Sequence, residues 1–503
     1  MKKLKKIKFQ KIVAIALAVV MSFITVSCSS ESSNVQTEPQ NDADTSANVD
    51  GEDPVYARFN GELEEGVTLQ ILENDTAIQQ GYLDELLAAF NEEYAEYGIT
   101  AVDANMDQFL DLANDGPYGY GPDVIYQAND VLMRNVDGRH IMLLPVERLS
   151  SYDSISKEVW SAYRADVEGA EYIFGVPVNL QSSLLFYRKD LIPEDWQDTW
   201  DDNSNDIPDM LETWNDLYKF SAERRNPVNG KYGYMKALND LYFSAGFLFS
   251  HGGYVFGDEG RNPENIGFNK NDAVLGAWEL LQLVSIMNEE AIDDTITSTA
   301  YSRLASGEYF ATMTTPDVHQ LFVQELALVY ESEGLSSEEA YSKAEENIGV
   351  RIPPSVPASG DLSEENPELL PYRSMGGING YAVSSYTKAP NAALAFVDFA
   401  TQYDAVNRRH ELLGITPVNS ELANELGGLH LELFEQLDSG NIVIMPSISE
   451  TAQIWTPGAT FFSDLAKDPY RPENERKYTS LEEIQAGLDQ MSKDIHDAIF
   501  TLR

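Results

Sequence analysis

The sequence predicts an α/β protein built as two lobes. Three observations predict it. Strand-like and helix-like hydrophobic periods alternate from residue 67 onward. A chain of 503 residues is too long for one ordinary domain and long enough for two sizeable cores. Breaks such as Gly121-Pro122 punctuate the periodic runs.

Order is expected from near Gly61. Val67, Leu69 and Ile71 alternate as a strand does, and Leu83, Leu86, Leu87, Phe90 and Tyr94 recur at helical spacing. Residues 99–102 read as a second strand, 107–112 as a short helix and 123–126 as a third strand. Strand, helix, strand, helix, strand implies a layer with a mostly parallel sheet. Ligands of such sheets sit beyond the carboxyl ends of the strands, which points to Asn74 and Asp75 after the first strand and to Gln127 through Asp130 after the third. A second unit begins after Gly175, with a β-type run at 184–187. Helices are expected over 214–222, 242–249, 273–287, 391–400 and 481–500. Residues 331–373 read as an acidic, loop-rich stretch, and Gly376, Gly377 and Gly380 lead into a strand at 381–383. No internal repeat is present.

Composition excludes several classes of partner. At a formal net charge of −48 no nucleic-acid partner is expected, because phosphate binding draws on lysine and arginine clusters, and a neutral ligand suits the charge better than a polyanion. A single cysteine allows neither an intrachain disulfide nor a thiolate zinc site. That cysteine follows six lysines in the first eleven residues, an apolar run over 12–26, and Ser27. This is the order of an export signal, and its apolar run is shorter than a comfortable membrane span. It resembles a bacterial lipoprotein signal over residues 1–27, with Cys28 as the acylated residue, although Thr25 stands where that pattern usually has Leu. Residues 28–60, rich in Ser, Asn, Asp and Glu, read as a flexible acidic spacer that cannot bury a core. The expected location is therefore the outer face of a membrane, reached through a lipid.

Catalytic patterns are missing. The chain has no phosphate-binding glycine loop, no H-E-x-x-H and no G-x-S-x-G, and its six histidines are not spaced as a metal pair. With 82 acids, a glycosidase carboxylate pair can be neither chosen nor dismissed from spacing. Asp201, Asn203, Asn205, Asp209 and Glu212, with the carbonyl of Ile207, fall at the ligand offsets of a twelve-residue calcium loop, but Asp206 replaces its glycine. The competing reading is a solvated acidic loop. No cofactor is expected.

Five segments in order resemble the extracellular solute-binding proteins of sugar transporters, and among them the maltose and maltodextrin branch. They are Gly121-Pro122-Asp123-Val124-Ile125-Tyr126; Gly175-Val176-Pro177-Val178-Asn179 with Leu185-Phe186-Tyr187-Arg188-Lys189-Asp190-Leu191; Tyr242-Phe243 leading to His251-Gly252-Gly253-Tyr254; Gly380-Tyr381-Ala382-Val383-Ser384 with residues 391–399; and Met445-Pro446-Ser447-Ile448 with Trp455. The resemblance implies a two-lobed periplasmic-binding-protein type II fold, with discontinuous lobes, a hinge and a ligand cleft between them. The lobes are expected at 61–180 plus about 380–425 and at 181–379 plus about 426–503, crossing near 179–183, 374–380 and 417–426. It further implies stacking by Tyr242 and Trp455, and hydrogen bonds to sugar hydroxyls from Asp130, Asp240, Asn74 and Asp75, with Gln181 where the branch often has Glu. Gln127 and Asp317 stand where the pattern carries Trp, and Val131 replaces a basic contact, so Tyr126, Tyr254 or Tyr309 would have to substitute or the ligand differs. The implied function is capture of a neutral oligosaccharide such as maltodextrin by a monomeric receptor and delivery to the permease subunits of an importer, without catalysis. A receptor for another oligosaccharide, a surface glycoside hydrolase and a polysaccharide-adhesion protein remain as alternatives.

Overall fold

A computed structural model describes residues 54–289, 292 and 299–501. The signal segment and Cys28 lie outside the described residues. Of the stretch read as spacer, 54–60 is packed onto the fold: Phe59 is fully buried, and the Arg58 guanidinium donates to the carbonyls of Ser385 and Thr387. Tyr56 adds an edge-to-face contact with Tyr172, ring centroids 6.0 Å apart. Among the described residues no helix is long and apolar enough to cross a membrane.

Two sheets organise the structure. The larger has the strand order Thr416–Pro417, Val176–Ser182, Ser374–Val383, Val124–Ala128, Thr68–Leu72, Thr100–Asp103, with Ile442–Ile444 also paired to Ser374–Val383. The smaller has the order Ile348–Arg351, Leu184–Arg188, Tyr309–Thr314, Tyr232–Tyr234. The α/β character and the two-lobed type II fold are thus present, but the sheets are mixed rather than mostly parallel. Thr68–Leu72 pairs parallel with both its neighbours, whereas Ser374–Val383 runs antiparallel to Val124–Ala128 and to Val176–Ser182. The cause is that Ser374–Val383 returns from a distant part of the chain and is not delivered by a right-handed crossover.

The chain passes from the large sheet to the small one across Ser183, between Val176–Ser182 and Leu184–Arg188, and comes back at Ser374. The segment 417–426 holds a short strand on the large sheet and the helix Ser420–Leu426. Further on, the strand Ile442–Ile444 is also paired on the large sheet.

Side-chain caps set several helix starts. Ser480 caps the helix Leu481–Phe500, whose buried Ile484, Leu488, Met491, Ile495 and Ile499 follow one helical stripe. Two expectations fail for the same kind of reason. Residues 107–112 are not a helix, because Asp107 and Asp111 accept from the backbone N–H two residues on, and the only helix there is Leu112–Asp115. The stretch 331–373 is not mainly loop. Ser336 and Glu339 form a capping box for the helix Ser337–Asn347, which runs into the strand Ile348–Arg351. The core of the second lobe centres on Trp214, packed against Tyr234 and Phe247 at ring-centroid distances of 5.0 and 4.8 Å.

Candidate ligand-binding cleft

Strand ends of the large sheet and helix starts over the small sheet converge. Thr68–Leu72 ends at Glu73, and Asn74 then caps the helix Asp75–Gln79 through its Oδ1, which accepts from the Ala77 N–H at 2.8 Å. Asn74 is therefore engaged locally, and Asp75 is exposed and bonded to Gln108 at 3.3 Å. Val124–Ala128 runs into the helix Asn129–Asp137, with Asp130 in its first turn.

Beneath the Asn74 turn lies a buried ion pair that sequence patterns do not reveal. Arg409 donates from Nη1 and Nη2 to the two carboxylate oxygens of Glu73 at 2.7 and 3.0 Å, with both side chains fully buried. The Tyr381 hydroxyl also donates to Glu73, and the guanidinium lies 3.8 Å from the centroid of Tyr126. A Glu at the end of an apolar strand is the only local signal, because its partner is 336 residues away.

On the other lobe, Asp240 caps the helix Leu241–Ser250 by accepting from the Tyr242 N–H at 3.2 Å. Lys236, mostly buried, sits 3.9 Å from Asp240 and 3.4 Å from the centroid of Phe243, and burial lowers its ammonium pKa to about 8. Sequence reading missed Lys236, which sits in a loop without periodicity. Trp455 opens the helix Trp455–Lys467. Gly458, one turn on, presses against Leu241: a Cβ there would stand 2.7 Å from the leucine side chain. Only glycine lets the two helix starts approach so closely. Trp455 and Asn239, the neighbour of Asp240, consequently line the same depression.

The two halves meet directly. Gln181, on the large sheet, donates from Nε2 to Asp317 Oδ1 at 3.5 Å, and Asp317 follows the small-sheet strand Tyr309–Thr314. Tyr242 is the common neighbour of the acids. Burial pushes its hydroxyl pKa up, and the charges of Asp317, Asp240 and Asp130 push it the same way. Burial also raises Asp317 and takes Asp130 up to about 6, against the pull of Arg134 and of backbone N–H groups. Asp130 Oδ1 and the Tyr242 hydroxyl are buried and find no hydrogen-bond partner among the described residues. Buried polar atoms are ordinarily paired, so these two retain hydrogen-bonding capacity at the place where the acids gather around Tyr242.

The proposed substitute aromatics are used elsewhere. Tyr126 is 2% exposed, and its hydroxyl donates to Asn179. Tyr309 is fully buried and accepts from Arg303 at 2.6 Å. Tyr254 donates to Asn265 at 2.9 Å and lines a separate cavity of about 450 Å³ beside Arg373 and Pro446. Of the candidate aromatics, Tyr242 feels all three acids, and Trp455 lines the depression that Asn239 borders.

In the 201–212 loop, Asn203 and Asn205 donate to the two oxygens of Glu212 at 2.8 Å each, and Asp201 accepts from the backbone N–H of Asn205. Asp206 takes φ of 64°, the left-handed conformation that glycine would supply. Among the described residues no group of three or more His, Cys, Asp or Glu side chains stands together as a metal site.

Comparison with known proteins bears on the family and the fold. The family model for bacterial extracellular solute-binding proteins matches residues 74–406. The galactooligosaccharide-binding protein of Bacillus subtilis is 25% identical over 423 residues, covering 80% of this chain and 87% of that protein. The maltodextrin-binding protein MdxE of the same organism is 24% identical over 393 residues, covering 76% and 82%. Among solved structures, MalX from Streptococcus pneumoniae in complex with maltopentaose superposes with a TM-score of 0.64 at 18% identity, over 86% of this chain and 99% of that one. The maltose-binding protein MalE from Listeria monocytogenes gives 0.61 at 22% identity, over 87% and 98%. With two sheets, a cleft between strand ends and helix starts, and a family match across most of its length, this chain belongs to the bacterial extracellular solute-binding proteins.

Proposed function

We propose that this chain is the receptor of an ABC importer for maltooligosaccharides. It captures the sugar between its lobes, closes, and hands it to the permease without breaking a bond. The observation that carries the reading is the convergence of Asp130, Asp240 and Asp317 on Tyr242 at the seam where Gln181 meets Asp317. A sugar offers apolar ring faces and a belt of hydroxyls. Tyr242 and Trp455 suit the faces, and the carboxylates and the Gln181 amide suit the belt. Asn74 and Asp75, in the turn after Thr68–Leu72, are proposed to meet further hydroxyls of a longer ligand. Relatives named for maltodextrin and maltooligosaccharide binding support the ligand class. One relative is named a solute-binding lipoprotein, which supports acylation of Cys28 and retention at the cell surface. The lobes are assigned to the two sheets, with passages at Ser183, at Ser374 and after Ile444, and the receptor acts as a monomer.

The test is a thermal-shift and calorimetric panel of malto-, galacto- and β-linked oligosaccharides on the chain starting after Cys28. A maltooligosaccharide is expected to bind with micromolar affinity, about −8 kcal/mol, and to release no new reducing ends. A second reading, a galactooligosaccharide receptor, is favoured by the identity to the Bacillus protein of that name. The same panel separates the two, because only a ligand of the folded state raises the melting temperature.

A further inference from the structure

A groove of about 930 Å³ runs between the helices Trp455–Lys467 and Leu481–Phe500. It lies in the upper range of small-molecule sites, roughly 300–1,000 Å³. One end is formed by Trp455 and Asn239, at the mouth of the candidate cleft. The other is formed by Asp464, Tyr478, Gln490 and Asp494. Along the first helix, Trp455 and Asp464 are nine residues apart, about 13 Å at the helical rise.

The groove is built rather than left over from packing. Its aromatic wall is Phe461 against Tyr478, edge to face with centroids 5.9 Å apart. The opposite helix passes this pair at Gly487, where a Cβ would stand 2.7 Å from Phe461 and 2.8 Å from Tyr478, so only glycine leaves both rings in place. Tyr478 is half-buried and pinned, donating to Asp464 at 2.9 Å. Also lining the groove, Gln490 donates to Asp494 at 2.7 Å, and Lys477 pairs with Asp464 at 3.0 Å. Aromatic edges bordered by carboxylates and an amide repeat the chemistry of the cleft, and Trp455 is shared by both.

We propose that this groove is an extension site. It holds the later units of an oligosaccharide whose first units occupy the interlobe cleft, so the receptor prefers long chains to short ones. The inference rests on the sugar-receptor reading. The experiment compares maltotriose and maltoheptaose by calorimetry on the wild type, on Thr460→Trp, and on Gln490→Ala/Asp494→Ala. Thr460 is an exposed residue on the groove wall, so tryptophan there fills the groove without entering the core. The wild type is expected to bind maltoheptaose about tenfold more tightly than maltotriose, about 1.4 kcal/mol. Both variants are expected to lose that preference while keeping the maltotriose affinity and the melting temperature. Equal affinities in the wild type, or a preference that survives in a folded variant, would overturn the extension site and leave the receptor reading intact. Should the wild type bind neither sugar, the maltooligosaccharide reading falls, and the extension site with it.

Discussion

Asp130→Asn is expected to stabilise the empty protein and to weaken it as a receptor. The Asp130 carboxyl is 5% exposed, and burial raises its pKa from 3.8 to about 6. A raised carboxyl disfavours folding wherever it is charged. The destabilisation is complete above the folded value and gone below the unfolded one. A shift of about two units corresponds to about 3 kcal/mol at pH 7.5. By pH 4.5 the group is mostly neutral in the fold and still largely charged when unfolded, so about 2 kcal/mol of that has been relieved. Urea unfolding of wild type and variant at both pH values isolates the term, because every other group titrates alike in the two proteins. The variant should be the more stable at pH 7.5, and its advantage should shrink by about 2 kcal/mol at pH 4.5. Ligand affinity should fall by about 1.5–3 kcal/mol, the range for a hydrogen bond to a charged group. A stability difference that does not change with pH, or one of opposite sign, would refute the claim that Asp130 is held charged at a cost.

Three further outcomes are expected. Arg409→Met, which strands the Glu73 carboxylate in the core, should cost about 3–5 kcal/mol in urea unfolding, and the double variant Glu73→Gln/Arg409→Met should cost less than the single one. A loss under about 1 kcal/mol in the single variant would contradict the burial of the pair. Trp455→Ala should weaken oligosaccharide binding by about 1–3 kcal/mol in calorimetry, on the scale of lost apolar contact, with the melting temperature little changed. Ser336→Ala, which removes a capping box far from the cleft, should cost about 1 kcal/mol of stability and leave affinity unaltered.

What could be read from the sequence depended on whether the signal was local. The helices at Pro390–Ala400 and Leu481–Phe500 were legible because an apolar stripe defines each, opened by a proline in the first and by the Ser480 cap in the second. The strand ends at Asn74 and Asp130 were legible because sheet geometry puts ligands at such ends. The strand Ser374–Val383 was read only from its last three residues, since all ten are buried and leave no alternation. Its antiparallel pairing, the Glu73–Arg409 pair and the meeting of Gln181 with Asp317 join residues more than a hundred positions apart. No periodicity announces them. The same holds for Tyr126 and Tyr309, whose aromatic character suggested a platform but whose hydroxyls are spent inside the lobes.

The buried polar groups around the cleft fall into two kinds, and the difference assigns their work. Both oxygens of Glu73 are engaged, by Arg409 and Tyr381, and Oε2 also accepts from the Asn74 N–H at 3.0 Å. A paired buried charge of this sort adds little net stability, yet it holds the backbone beside it to one geometry. It therefore fixes the turn that carries Asn74. Asp130 Oδ1 and the Tyr242 hydroxyl are buried just as deeply and unpartnered. On the proposed function a hydroxyl-rich ligand completes both, each bond costing about 1–3 kcal/mol while unmade. Closure around a hydroxyl-rich ligand returns that cost at the moment of binding. The ligand then favours the closed arrangement because the empty one leaves these bonds unmade, which is the differential affinity that lobe closure requires.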